Sequence, residues 1–198
     1  MEVRGLHGVK AALVTVLLQP IGEVEEDLLA YLSRGVELRV PWSTCVVAEE
    51  PLPPPRWAFD DWRRQYFSPA ILKALKDLHG PKPLNFKVLG VADVDAYTPG
   101  LNFVFGEAEI DGSYAVIYLA RLKLGLYAPV ERGVFFERAL KEAVHELGHT
   151  FGLTHCSNPA CVMRFSNSIA DTDYKTSEYC SSCRAKLENR IASLVVEA

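Results

Sequence analysis

Eleven consecutive residues could do chemistry: His145-Glu146-Leu147-Gly148-His149-Thr150-Phe151-Gly152-Leu153-Thr154-His155. Histidines four apart sit about 40° from one another on a helix that turns about 100° per residue, so both imidazoles leave from one side. Gly152 accepts a positive φ without a Cβ penalty, which lets the chain quit the helix and return His155 as a third nitrogen ligand. Three protein ligands with an open fourth position are the arrangement of a catalytic rather than a structural zinc. Glu146 follows the first ligand and projects beside the metal, where it can take a proton from water as a general base.

A second cluster follows at once. Four of the five cysteines fall in the C-terminal third, Cys156 and Cys161, then Cys180 and Cys183. C-x4-C followed by C-x2-C is a pattern that supplies four thiolates to a structural zinc. The rival readings are two disulfides, which need an oxidising compartment, and a redox C-x-x-C, for which no thioredoxin-like strand precedes Cys180. Zinc is favoured, because no small-residue cleavage site follows the apolar run after Arg4 and Lys10, and a secretory signal is not expected. A cytoplasmic protein follows from that. Cys45 reads as a small apolar core residue.

These residues need a frame. With residues 134–151 helical, Phe136, Leu140, Ala143, Val144, Leu147 and Phe151 share one face, opposite His145 and His149. That helix packs its apolar back on a core and turns the imidazoles into a cleft. Upstream, residues 11–19 read as a buried strand, 22–34 as a helix and 36–40 as a second strand, a right-handed parallel crossover. Residues 51–55 mark a loop. Residues 57–79 read as mostly helical, with Ser68-Pro69 a start signal partway. Residues 86–93 form a third strand. Residues 101–110 and 114–122 flank Asp111-Gly112 as a hairpin, which puts one antiparallel strand at the edge of a mostly parallel sheet. An edge beside the cleft can pair with an extended substrate. The fold class is therefore α/β, in one catalytic domain. Residues 1–152 are its N-terminal α/β half with the metal helix; 153–198 are a small irregular half ending in a helix.

Composition excludes more than it assigns. The 198 residues carry 21 Lys and Arg against 25 Asp and Glu, a net charge of −4, so neither a nucleic acid nor a membrane surface is an expected partner. There is no run of eighteen apolar residues to span a bilayer. A monomer is expected.

The pattern H-E-x-x-H-x-x-G-x-x-H is that of metzincin zinc peptidases. Running directly into Cys156, then Cys161-Val162-Met163 and Cys180-Ser181-Ser182-Cys183, it resembles the archaemetzincin family across residues 145–183. The resemblance implies a zincin-like α/β domain with two zinc ions. His145, His149 and His155 would hold the catalytic ion, with Glu146 the general base. Cys156, Cys161, Cys180 and Cys183 would hold the structural one. Met163 would be the Met-turn residue, an apolar floor under the histidines. It implies a peptidase, and some members of the family look like aminopeptidases of narrow specificity. The residues Arg164 and Phe165 stand where some metzincins carry a metal-reaching tyrosine, and neither Tyr174 nor Tyr179 is assigned a catalytic role.

The expected substrate is a peptide or protein. The alternative is a zinc-bearing module that binds peptides without cutting them, and a zinc hydrolase of other amides is a third possibility. An aminopeptidase would need an acidic anchor for the substrate amine. Glu142, about 20° from His149 on the wheel, is a candidate, although a solvated helix acid is the commoner occupant of such a position.

Overall fold

The computed structural model describes residues 13–125 and 130–196. The basic residues Arg4 and Lys10 and the start of the first apolar run lie outside the described residues. Strands β1 (Val14–Ile21), β2 (Ser43–Val47), β5 (Phe86–Ala92), β7 (Gly106–Ala108) and β8 (Tyr114–Tyr118) form one sheet in the order β2-β1-β5-β8-β7. All its pairings are parallel except β7 with β8. The mixed, mostly parallel sheet expected of an α/β fold is present. A smaller sheet of β3 (Phe59–Asp60), β4 (Gln65–Phe67) and β6 (Ala96–Tyr97) stands beside it.

Among the described residues five α-helices pack on this frame: α1 (Glu26–Arg39), α2 (Ser68–His79), α3 (Arg132–Thr150), α4 (Ile169–Tyr174) and α5 (Ser181–Val196). The sheet separates two apolar clusters. One gathers α1, α3, Met163 and α5 with β1 and β8; the other gathers α2 with Val88, Val116 and Tyr118. Phe136, Leu140, Ala143, Val144, Leu147 and Phe151 are all buried, which is the apolar back expected of the metal helix. Each contributes about 1.5–3 kcal/mol if a large aliphatic or aromatic side chain, less for alanine. That burial fixes the angle at which His145 and His149 face outward.

Four sequence expectations shift. Residues 36–40 are not a strand: α1 runs on to Arg39, and the strand is Ser43–Val47. Gly35, just past the end of the expected helix, lies inside α1 at a crossing point, since a Cβ there would lie 2.5 Å from Leu140 Cδ1 of α3. Residues 57–67 are not one helix: a 3-10 turn at Arg56–Ala58 gives way to two short strands. Asp60 accepts hydrogen bonds from the backbone N–H groups of Trp62 and Arg63, both at 3.0 Å, and this side-chain turn makes a hairpin of β3 and β4 before Ser68-Pro69 opens α2. The edge strand is shorter than 101–110. Only Gly106–Ala108 pairs with β8, because the Asn102 carbonyl is taken by the Arg63 and Gln65 side chains and Val104 N–H by Ala96. After β8 the chain turns into a 3-10 helix at Ala120–Lys123 rather than continuing as strand to 122.

The segment after Gly152 is more ordered than its poor periodicity suggests. Helix α4 opens with a capping box: Ser168 accepts from Asp171 N–H, and the Asp171 carboxylate accepts from Ser168 N–H. It docks on α3 through polar contacts. Arg138 forms two bonds to Asp173 at 2.6 and 2.7 Å, and Lys141 donates to the carbonyls of Thr172 and Asp173.

Candidate metal centre and cleft

The end of α3 delivers the third histidine. Gly152 has φ of 81°, Gly152 N–H donates to His149 O at 2.9 Å, and Leu153 N–H donates to Gly148 O at 3.1 Å. This pair of bonds is a Schellman motif with glycine at the left-handed position. The ligand-competent atoms of His145, His149 and His155 then lie within 4.8 Å of one another.

Two backbone carbonyls set the imidazole tautomers. His145 Nδ1 lies 2.8 Å from Val162 O, and His149 Nδ1 lies 2.7 Å from Leu153 O. A carbonyl only accepts, so each Nδ1 carries the proton and each Nε2 presents a lone pair. Those two Nε2 atoms are 3.1 Å apart. Two lone pairs at that separation repel unless a cation lies between them. Two nitrogens on one tetrahedral zinc, at bonds of about 2.05 Å, stand about 3.3 Å apart. The donor set therefore fits zinc. Burial holds the proton affinity of His145 well below the usual histidine range, helped by the nearby Lys175 ammonium and by His149. Burial lowers His149 and His155 too. All three are pushed toward the neutral form that binds metal. His155 is the exposed member and packs its ring on Phe165.

Glu146 is buried, and burial pushes its carboxyl well above the usual range; Glu142 and Glu107 add to this and Lys175 opposes it. Its side chain lies against Gly106 on the edge strand, where a Cβ would come within 2.5 Å of Glu146 Cγ. Glu142 is not a solvated acid. It is buried, paired with Lys175 Nζ at 3.1 Å, and accepts from Thr172 Oγ1 at 3.1 Å. Lys175 is the residue that sequence reasoning missed here, and nothing in its local sequence marks it.

Met163 is fully buried and packs on Gly148, the residue before the second histidine. A Cβ at Gly148 would fall inside the envelope of Met163 Sδ. Gly148→Ala is therefore expected to cost about 1–3 kcal/mol by overpacking and to weaken zinc binding, read from melting curves and a zinc titration. Met163→Ala in the same chain should recover part of the loss.

The cysteines converge as well. All are free thiols, and the Sγ atoms of Cys156, Cys161, Cys180 and Cys183 lie within 4.8 Å of one another. Cys156 Sγ and Cys180 Sγ are 3.8 Å apart, the spacing of two thiolates on one tetrahedral zinc with bonds of about 2.3 Å. Cys161 Sγ accepts from Cys180 N–H at 3.3 Å and Cys156 Sγ from Asn158 N–H at 3.4 Å. The Cys183 backbone N–H at the start of α5 draws the Cys180 thiol down to about 7, while burial raises Cys161 and Cys183. Cys45 lies elsewhere, the buried central residue of β2, with its thiol pushed up to about 12 by burial.

A cavity of about 420 Å³ opens over the histidines, walled by residues of the 98–110 segment, by α3 and by Phe165 to Asn167. No described helix is long and apolar enough to cross a membrane.

The sequence matches peptidase family M54 over residues 54–189. It is 43% identical to the archaemetzincin of Pyrococcus furiosus, covering 89% of this chain and 93% of that one. It is 41% identical to the archaemetzincin of Methanocaldococcus jannaschii, covering 90% and 95%. The fold superposes on the crystal structure of archaemetzincin from Methanopyrus kandleri with a TM-score of 0.79 at 32% identity, over 93% of this chain and 99% of that one. The Archaeoglobus fulgidus archaemetzincin structure gives 0.74 at 36% identity, over 87% and 99%. A chain with this three-histidine cleft and these relatives belongs to peptidase family M54, the archaemetzincins, and is a zinc metallopeptidase.

Proposed function

We propose that this metallopeptidase is an aminopeptidase of narrow specificity. His145, His149 and His155 hold one zinc, Cys156, Cys161, Cys180 and Cys183 hold a second, structural one, and Glu146 is the general base. Residues 1–152 and 153–198 are the two walls of one catalytic domain, a reading supported by the apolar cluster that draws on both. The observation that carries the mechanism is the pair of Nε2 lone pairs 3.1 Å apart with Glu146 buried beside them.

When bound, zinc supplies the Lewis acidity that polarises the scissile carbonyl. The carbonyls of Val162 and Leu153 hold the two helix imidazoles in the ligating tautomer. Glu146 takes a proton from the attacking water and hands it to the leaving amine. The raised proton affinity of its carboxyl suits both halves of that task. Gly106 leaves the space in which this carboxyl sits. The small cavity supports narrow specificity. The protein works as a monomer on peptide or protein substrates in the cytoplasm, without nucleic-acid or membrane partners; its net charge of −4 fits that reading.

The test is a diverse peptide library followed by mass spectrometry, with and without a chelator. Loss of single N-terminal residues that stops on chelation is expected. Internal cuts would make the protein an endopeptidase. Binding without metal-dependent products would make it a zinc-bearing peptide-binding module instead.

A further inference from the structure

Strand β5 carries one residue out of keeping with the rest. Lys87 is only 1% exposed, and it alternates with Leu89 and Val91 onto the face of the sheet that carries α3. No step of the mechanism uses it. A lysine buried without a paired acid is costly. Among the described residues no carboxylate bonds to Lys87. Asp111 attracts it from nearby but is itself held by Arg190 at 2.8 Å. Burial pulls the proton affinity of Lys87 down to about 7.

Its bonds show where it acts. Nζ donates to Gly112 O at 2.6 Å and to Thr150 O at 2.8 Å, and it stands 4.4 Å from the centre of the Phe151 ring. Even a neutral amine keeps two N–H groups for those two carbonyls. Thr150 closes α3 and follows His149 directly. A helix leaves its last four carbonyls without an intrahelical partner. Here Leu147 O accepts from Thr150 Oγ1, Gly148 O from the amides of Phe151 and Leu153, and His149 O from those of Gly152 and Asp111. Thr150 O accepts from Lys87, and a cation suits that end of the helix dipole. Through Gly112 O the same nitrogen holds the turn between β7 and β8. That turn also carries Asp111, whose side chain a Cβ on Gly152 would meet at 3.5 Å. One buried nitrogen thus joins β5, the hairpin turn and the helix end from which the chain leaves for His155.

We propose that Lys87 is a positioning residue for the catalytic zinc: it ties the end of α3 to the β7–β8 turn and so fixes where His155 stands relative to His149. Lys87 touches neither metal nor substrate. Its role rests on the assignment of one zinc to His145, His149 and His155.

Lys87→Met, similar in shape, removes both bonds. It is expected to hold the histidine-site zinc about tenfold more weakly in competition with a chelator, the lower end of the loss seen when a ligand's outer support is removed. The amides of Asp111 and Gly152 should exchange faster. With cobalt(II) in the histidine site and zinc kept in the cysteine site, the visible bands should shift. Leu75→Ala, a truncation in the apolar cluster on the other face of the sheet, controls for lost stability alone and should leave zinc affinity and cobalt bands as in the wild type. A Lys87→Met protein with wild-type zinc affinity and bands overturns the proposal. So does a loss that Leu75→Ala matches at an equal drop in melting temperature. If Lys87→Met does not fold, hydrogen exchange in the wild type decides. Coupling is reciprocal, so emptying the histidine site should speed exchange at the amides of Asp111 and Gly112, and unchanged exchange there overturns the role. A wild type that takes up no zinc at the histidines refutes the zinc assignment itself, and the role of Lys87 with it.

Discussion

Glu146→Gln is expected to retain both zinc ions and to lose peptide hydrolysis by about a thousandfold, the middle of the range for a positioned general base. The amide has nearly the shape of the carboxyl, so its fit against Gly106 survives. The imidazoles take their orientation from Val162 and Leu153, not from Glu146, so metal affinity should be preserved. Zinc counting and kcat measured together check this. If the variant hydrolyses peptides as fast as the wild type, the base is another residue. If it loses zinc, Glu146 supports the metal rather than the proton transfer.

Cys183→Ser is expected to damage a metal it never touches. Structural zinc sites in small peptides contribute about 10–16 kcal/mol, most of it realised as folding. Here the cysteine cluster adjoins the histidine cluster in sequence and through hydrogen bonds. His155 and Cys156 are consecutive, Cys161 precedes the Val162 whose carbonyl orients His145, and Cys156 N–H bonds to Met163 O. Loosening the thiolate site therefore frees the carbonyl that sets the His145 tautomer. Loss of such an outer partner weakens metal binding by about 10–100-fold. Faster hydrogen exchange over residues 153–183 and reduced occupancy of the histidine site are the expected readings. A Cys183→Ser protein that loses one zinc, keeps the other at full affinity and shows unchanged protection near His155 would rule the coupling out.

The parts legible in the sequence were those fixed by short-range chemistry. Histidine spacing on a helix, the glycine that ends it and the paired cysteines all act within a few residues, and the structure brings each group together. The apolar back of α3 was legible because a period of 3.6 survives in a helix flanked by a sheet. What escaped depended on distant partners. Gly35 lies just past the expected helix until Leu140 is known to cross there. Glu142 looks like a surface acid until Lys175 arrives from 33 positions along the chain. Helix α4 has almost no apolar periodicity, because it is held by Arg138 and Lys141 rather than by an apolar stripe. Its Ser168 to Asp171 capping box was the one local signal that could have marked it.

The brevity of β7 bears on colloidal stability. A sheet edge that is open for ligands is also open to other copies of the chain, and long flat edges seed aggregation. Here only Gly106–Ala108 pairs with β8. The approach to it is broken up, with Asn102 O bound by Arg63 and Gln65, and Val104 N–H bound by Ala96. A neighbouring chain would find a template of three residues before the register fails, too short to nucleate a stack, yet a short extended peptide needs no more.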